Sequence, residues 1–167
     1  MGLLMCSAIT GIGATVLIDL WSIVRKSLLG ISPPDYGLVG RWIAHMVRGR
    51  LHHRSIAASA HIHGVRAIGW IAHYLIGIAY AAVLLSIWGL AWMQHPTVTP
   101  ALVVGIGTVA APFLLMQPSM GAGFFASRTP RPSAARMQSI IMHTVFGLGL
   151  FLTAWVTGQA TDWSANF

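Results

Sequence analysis

Residues 66–93 read RAIGWIAHYLIGIAYAAVLLSIWGLAWM: one arginine, Arg66, and then no charged side chain through Met93. A helix rising 1.5 Å per residue needs about 20 mainly apolar residues to cross about 30 Å of hydrocarbon, and residues 70–93 supply them. Lipid offers no water to the backbone, so a run of this length must satisfy its own N–H and C=O groups as a helix. Three further stretches qualify, residues 3–24, 101–118 and 139–157. Only residues 94–100 separate the second stretch from the third, which makes that pair an antiparallel hairpin with a short turn. The fold class expected is an all-α, integral membrane four-helix bundle, a single transmembrane domain over residues 1–167 with inner loops at 25–69 and 119–138.

Charge orients the bundle. All ten Lys and Arg residues fall in two windows, Arg25 to Arg66 and Arg128 to Arg136, and the apolar runs lie outside them. Cationic loops stay on the cytoplasmic side during insertion. Both windows are therefore expected inside, and Met1 and Phe167 outside, on the periplasmic side of a bacterial inner membrane.

The composition agrees with a membrane class. Hydrophobic residues make up 56% of the chain, DEKR only 8%, and mean hydropathy is +0.72, against roughly 25% charged residues in ordinary soluble domains. The net charge of +7 comes without a helix-turn-helix, zinc-finger or RNA-binding signature, so nucleic acid is not an expected partner. Anionic lipid headgroups are the expected counter-charge, each basic side chain contributing about 1 kcal/mol near an anionic leaflet. The single Cys6 excludes an internal disulfide and a CxxC site. The first apolar run lacks a basic leader and reads as a retained span rather than a cleaved signal.

Between the first two spans, Val39, Trp42, Ile43, Met46 and Val47 recur at helical spacing, with Arg41, His45 and Arg48 opposite. This predicts an amphipathic interfacial helix over residues 38–50, with Arg41, Arg48, Arg50 and Arg54 on headgroup phosphates. The tract His52, His53, His61 and His63 that follows reads as a solvated, mobile basic loop, because a structural zinc site needs four fixed ligands. Tryptophans at 21, 42, 70, 92, 155 and 163 stand near span ends, where aromatic belts form. The glycines of residues 11–15 follow no strand and serve packing, not dinucleotide binding.

The informative residues are polar ones inside the spans. Counted along the helix from the nearest basic residue, Asp19 lies about 9 Å, and His73 and His143 each about 10 Å, into the bilayer. Three ionisable groups on three spans thus share one depth. Gly11, Thr15 and Asp19 fall on one helical line, as do Gly69, His73, Gly77 and Ala81, and Ser139, His143 and Gly147. Small residues mark the faces where transmembrane helices approach closely, so these lines are expected to face the bundle. The third span brings Met116 and Gln117 to the same end, with Pro112 and Pro118 kinking it and freeing carbonyls that need partners. Chemically the cluster admits four uses: interhelical hydrogen bonding, a divalent metal on two imidazoles and a carboxylate, a haem held by His73 and His143 with Met116 as substitute ligand, or a proton relay. Spacing does not separate them.

Several blocks together resemble a known bacterial family, domain of unknown function 2938. They are the glycine-containing 11–15 with 18–21 (Ile-Asp-Leu-Trp), 38–42, 66–74, 116–123, 126–132 and 143–149. The resemblance covers nearly the whole chain and implies a small four-span inner-membrane protein, without implying an activity; residues 55–64 depart from it. The expected function is an accessory, scaffold or transport-related membrane component, acting as a homo-oligomer or with a membrane protein partner. The alternative is a metal- or haem-binding redox protein using Asp19, His73 and His143.

Overall fold

The computed structural model describes the backbone of residues 2–164 and the side chains of residues 2–159. Met1, Phe167 and the Trp163 ring, to which the sequence assigned places, lie outside the described residues. Among the described residues six α-helices follow one another: α1 (Leu3–Leu29), α2 (Tyr36–Met46), α3 (Val65–Trp88), α4 (Val98–Gly107), α5 (Gln117–Met120) and α6 (Pro132–Ser164). A π-helical turn over Pro112–Met116 joins α4 to α5, so that the third span, Val98–Met120, is one interrupted helix. No strand occurs among the described residues.

Among the described residues four helices are long and apolar enough to cross a membrane, and the chain is a multi-pass membrane protein by build. Large apolar side chains stand on the outside of the bundle, Leu4 at 85%, Leu28 at 75% and Ile23 at 65% exposure among them. Water would not tolerate so much apolar surface on a monomer. Acyl chains do.

The helices overrun the apolar windows at the basic end of the bundle. α3 starts at Val65 and α6 at Pro132, so residues 65–69 and 132–138, expected in loops, are helical. Hydropathy marks where lipid ends, whereas helical hydrogen bonding continues into the headgroup layer. Proline fits the first helical position of α6 because no N–H partner exists there in any case. At the other end α3 stops at Trp88, short of the expected Met93, because Gly89 turns left-handed at φ 77°. The 3-10 turn Leu90–Met93 then folds Trp92 and Met93 into the core. Trp42 and Trp92 are accordingly buried rather than part of an aromatic belt.

Helix packing follows the small residues. α1 is central, touching α3 on one side and α6 on the other, while α4 packs on α6 and α2 on α3. A Cβ added at Gly11 would meet the Ile78 backbone, one at Gly77 the Thr15 hydroxyl, and one at Gly105 the Gly147 backbone. Without a hydrophobic drive between helices in lipid, this closeness provides the dispersion that holds them. The buried core built on these contacts, including Ala14, Ala81, Leu84, Leu85, Ala101, Leu150 and Ala154, gathers toward the 89–97 turn.

Two expectations for the first loop are corrected. The helix there spans Tyr36–Met46, capped by the Asp35 carboxylate accepting from the Gly37 N–H at 2.9 Å. It packs antiparallel on the start of α3, with Gly40 against Val65 and Gly69 against the Tyr36 carbonyl. His45, placed on its polar face, is buried, with Nε2 3.1 Å from the Ala60 carbonyl oxygen. The His-containing stretch beyond it is not a free loop: His53 N–H donates to the Ser119 carbonyl at 2.8 Å and Ile56 N–H to that of Met120 at 3.0 Å. Periodicity registered the apolar side of α2 but could not register a second partner, the loop at residues 56–60, that claims its polar side.

Candidate functional site

Where the third span breaks, a cavity opens. α4 lies along α6 through the Gly105–Gly147 crossing, but after Thr108 the chain turns and Pro112 begins a π turn. The kinked half, residues 112–120, packs on its own π turn and on the 124–126 turn rather than along α3 or α6. The space left behind is a cavity of about 500 Å³ between α1, α3, α6 and the kinked half of the third span. Residues 32–34 and α2 close it on one side and Ala126 on another. Phe125 and Ala126 both hold positive φ, 51° and 57°, a strained pair costing roughly 1–3 kcal/mol per residue.

Asp19 and His73 come together. His73 Nε2 lies 3.1 Å from Asp19 Oδ1, and the Tyr74 hydroxyl donates to Oδ2 at 2.9 Å. The α2 helix backs this pair: the Tyr36 ring stacks on His73 with centroids 4.0 Å apart, and Trp70 meets Tyr36 edge-on at 4.8 Å. Burial, with the Asp19 charge behind it, pushes the Tyr36 phenol well above its ordinary range. These contacts join α1, α2 and α3 at one point.

His143 serves a different partner. Its Nδ1 lies 3.2 Å from the Gly105 carbonyl oxygen and 3.0 Å from the Thr108 hydroxyl, which itself donates to Gly105 at 2.6 Å. The kink frees backbone polarity, and His143 with Thr108 satisfies it. His143 and His73 line the same cavity but hydrogen-bond on separate walls. Among the described residues no three His, Cys, Asp or Glu side chains come together as a metal-holding group. The Asp19, His73 and His143 ligand set therefore does not converge, and the His73 nitrogen that would face a haem iron is committed to Asp19. Met116 and Gln117 both line the cavity, and Gln117 Oε1 is buried without a partner.

The sequence reading missed the cavity's strongest feature. Arg25, counted only as the start of a basic window, is 4% exposed and lines the cavity, with Nε and Nη1 buried and unpartnered. The signal was available. The buried face of α1 runs through Gly11, Ile18 and Arg25, a seven-residue repeat along the packed side of the helix. Tyr36, Tyr74 and Thr108 were missed because no spacing rule links them to their partners.

Of the four arginines expected at headgroups, Arg48, Arg50 and Arg54 are exposed. Arg41 turns back, its Nη1 donating to the Ala57 carbonyl at 3.0 Å with those of Ile56 and Ser59 at 3.5 Å. It ties the loop rather than reaching outward.

Comparison with curated proteins and with solved structures gives no match. The model of one family, described as a protein of unknown function (DUF2938), matches residues 8–157. That span takes in the second and third apolar helices, most of the first and fourth, Arg25, the Asp19–His73 pair and the His143-supported kink, and the chain belongs to the DUF2938 family.

Proposed function

We propose that this protein is a transport-related or accessory component of a bacterial inner membrane that holds a small molecule in the cavity at its basic end. One observation carries the reading: the spans pack closely toward the 89–97 turn, yet the third span bends away at Pro112 and leaves about 500 Å³ lined by buried polar groups. Interiors are ordinarily packed to crystal-like density, so a space of this size within the 300–1,000 Å³ range of ligand pockets points to an occupant. In this reading the basic end faces the inner leaflet and both termini lie outside. Arg48, Arg50 and Arg54, exposed at that end, meet anionic headgroups and hold the cavity mouth at the membrane surface.

The test is native mass spectrometry of the protein carried from membranes into nanodiscs. One small molecule per chain is expected, and Ala135→Trp, which fills the cavity from α6, is expected to release it. A wild-type chain that retains nothing removes the proposal. Orientation is checked by thiol labelling from outside the cell on a Cys6→Ser background. A cysteine at Gln94 should react and one at Gly49 should not.

A further inference from the structure

Arg25 identifies what kind of molecule fits. Arg25 is 4% exposed as a residue and lines the cavity, and its Nε and Nη1 are buried without partners. The one ion pair among the described residues joins His73 to Asp19, so no carboxylate lies within ion-pair distance of Arg25. A buried unpaired charge is strongly unfavourable, and a guanidinium does not escape by losing its proton. Arg25 sits on the last turns of α1 rather than on a loop that could swing it into water. The counter-charge has to arrive from outside the chain.

The rest of the lining sets the remaining chemistry. Arg25 is the sole Lys or Arg among the cavity's described residues. Neutral polar groups, Gln117 and Gln138 with Ser32 and Ser139, accompany it, and Gln117 has its own unpartnered oxygen. The other walls are apolar, with Ile18, Val39, Ile76, Met116, Met142 and Phe146. Resting on the cavity reading above, we infer that the site takes one amphiphile with a single negative charge. Its oxyanion, a carboxylate or a phosphodiester, sits on Arg25, and its apolar chain lies along α3 and α6. One guanidinium balances one charge, and a dianionic phosphate monoester would carry a second charge into an apolar space. Guanidinium is also the side chain best shaped for two-point contact with either oxyanion.

The experiment uses the full chain in phosphatidylcholine nanodiscs, titrated calorimetrically with dodecanoate and with dodecanol as its uncharged counterpart. A parallel arm counts phosphatidylglycerol retained from mixed phosphatidylcholine and phosphatidylglycerol discs by native mass spectrometry. Wild type should prefer at least one of the two anions over its neutral counterpart by tenfold or more. Arg25→Gln should abolish that preference, Arg25→Lys should keep part of it, and the exposed Arg48→Gln should leave it intact. Preference for dodecanoate alone assigns the site to a free carboxylate, and selective retention of phosphatidylglycerol assigns it to a headgroup phosphodiester. Equal binding of neutral and anionic probes, or a preference that survives Arg25→Gln, overturns the anion anchor while leaving a cavity that binds. Binding of none of the probes overturns both. Arg25→Gln should unfold at a higher temperature than unliganded wild type, which separates lost binding from lost fold.

Discussion

The two ends of the same four spans are built on opposite rules. Toward the 89–97 turn, glycines and alanines bring α1, α3, α4 and α6 into backbone contact and the interior is filled by Leu84, Leu85 and Leu150. Toward the basic end the third span bends off its neighbours, a cavity takes its place, and Arg25 faces it unpartnered. One end holds the bundle together; the other gives up packing and hydrogen bonding. A polar defect of that kind persists where a ligand makes use of it, and the contrast lets stability and function be perturbed separately.

The contrast breaks first at the packed end. Gly11→Val would drive a side chain into the Ile78 backbone, whose Cα would lie 2.5 Å from the new Cβ. Backbone cannot yield as a side-chain tip does. The expected cost is about 3 kcal/mol or more, read as lost monodispersity in size-exclusion chromatography and a lower unfolding temperature in detergent. A Gly11→Val protein as stable as wild type would mean that the close crossing is not what holds α1 to α3.

Between the two ends stands the Asp19 network. Asp19→Ala leaves the His73 imidazole and the Tyr74 hydroxyl without an acceptor, an expected loss of roughly 2–3 kcal/mol. Asp19→Asn retains an acceptor oxygen and should cost about 1 kcal/mol, within the range of interhelical hydrogen bonds in membranes. Thermal unfolding of both variants measures the ratio. Equal losses would show that the carboxylate charge, not the hydrogen bond, is what α1 and α3 share.

At the open end the sign reverses. Arg25→Met removes an unpaired buried charge and fills the site with an apolar stem, so unliganded protein should gain roughly 1–3 kcal/mol. Thermal unfolding in a neutral detergent reads it directly. A destabilised Arg25→Met would show that Arg25 supports the fold, and the two ends would then follow one rule after all.

How much of this was legible depends on the length scale of each signal. Span number, the hairpin at residues 94–100, the glycine faces and the Pro112 kink are written in periodicity and proline chemistry, which act within a few turns of one helix. Asp19 and His73 could be matched because equal depth is itself a membrane coordinate. His143 shared that depth and still went to Gly105, since depth fixes height but not the direction around the bundle. Arg25 was hidden by the rule that revealed topology: as one cation in a basic window it looked solvated. Docking of residues 53–56 on 119–120 was beyond reach, because a two-bond backbone pairing leaves no side-chain pattern.

The smallest expected effect concerns that docked loop, which ties the stretch after α2 to the end of the third span. His53 packs edge-on to His45 at 5.0 Å between ring centroids, and neither of its ring nitrogens has a partner. Burial, then the neighbouring charges of His45 and Arg50, holds its imidazole below the usual range, the Ser119 backbone opposing and His52 adding slightly. The folded loop therefore prefers neutral His53. Its contribution is present above the unfolded imidazole pKa of about 6.5 and is lost as pH falls below that toward the lower folded value. Amide exchange at His53 and Ile56, whose N–H groups bond Ser119 and Met120, should quicken between pH 7.5 and pH 5.5 beyond the intrinsic chemical rate, and His53→Phe should abolish the change. Exchange that keeps to the intrinsic rate in wild type would leave His53 a bystander, and the hold on the loop would then rest on Arg41 and its three loop carbonyls.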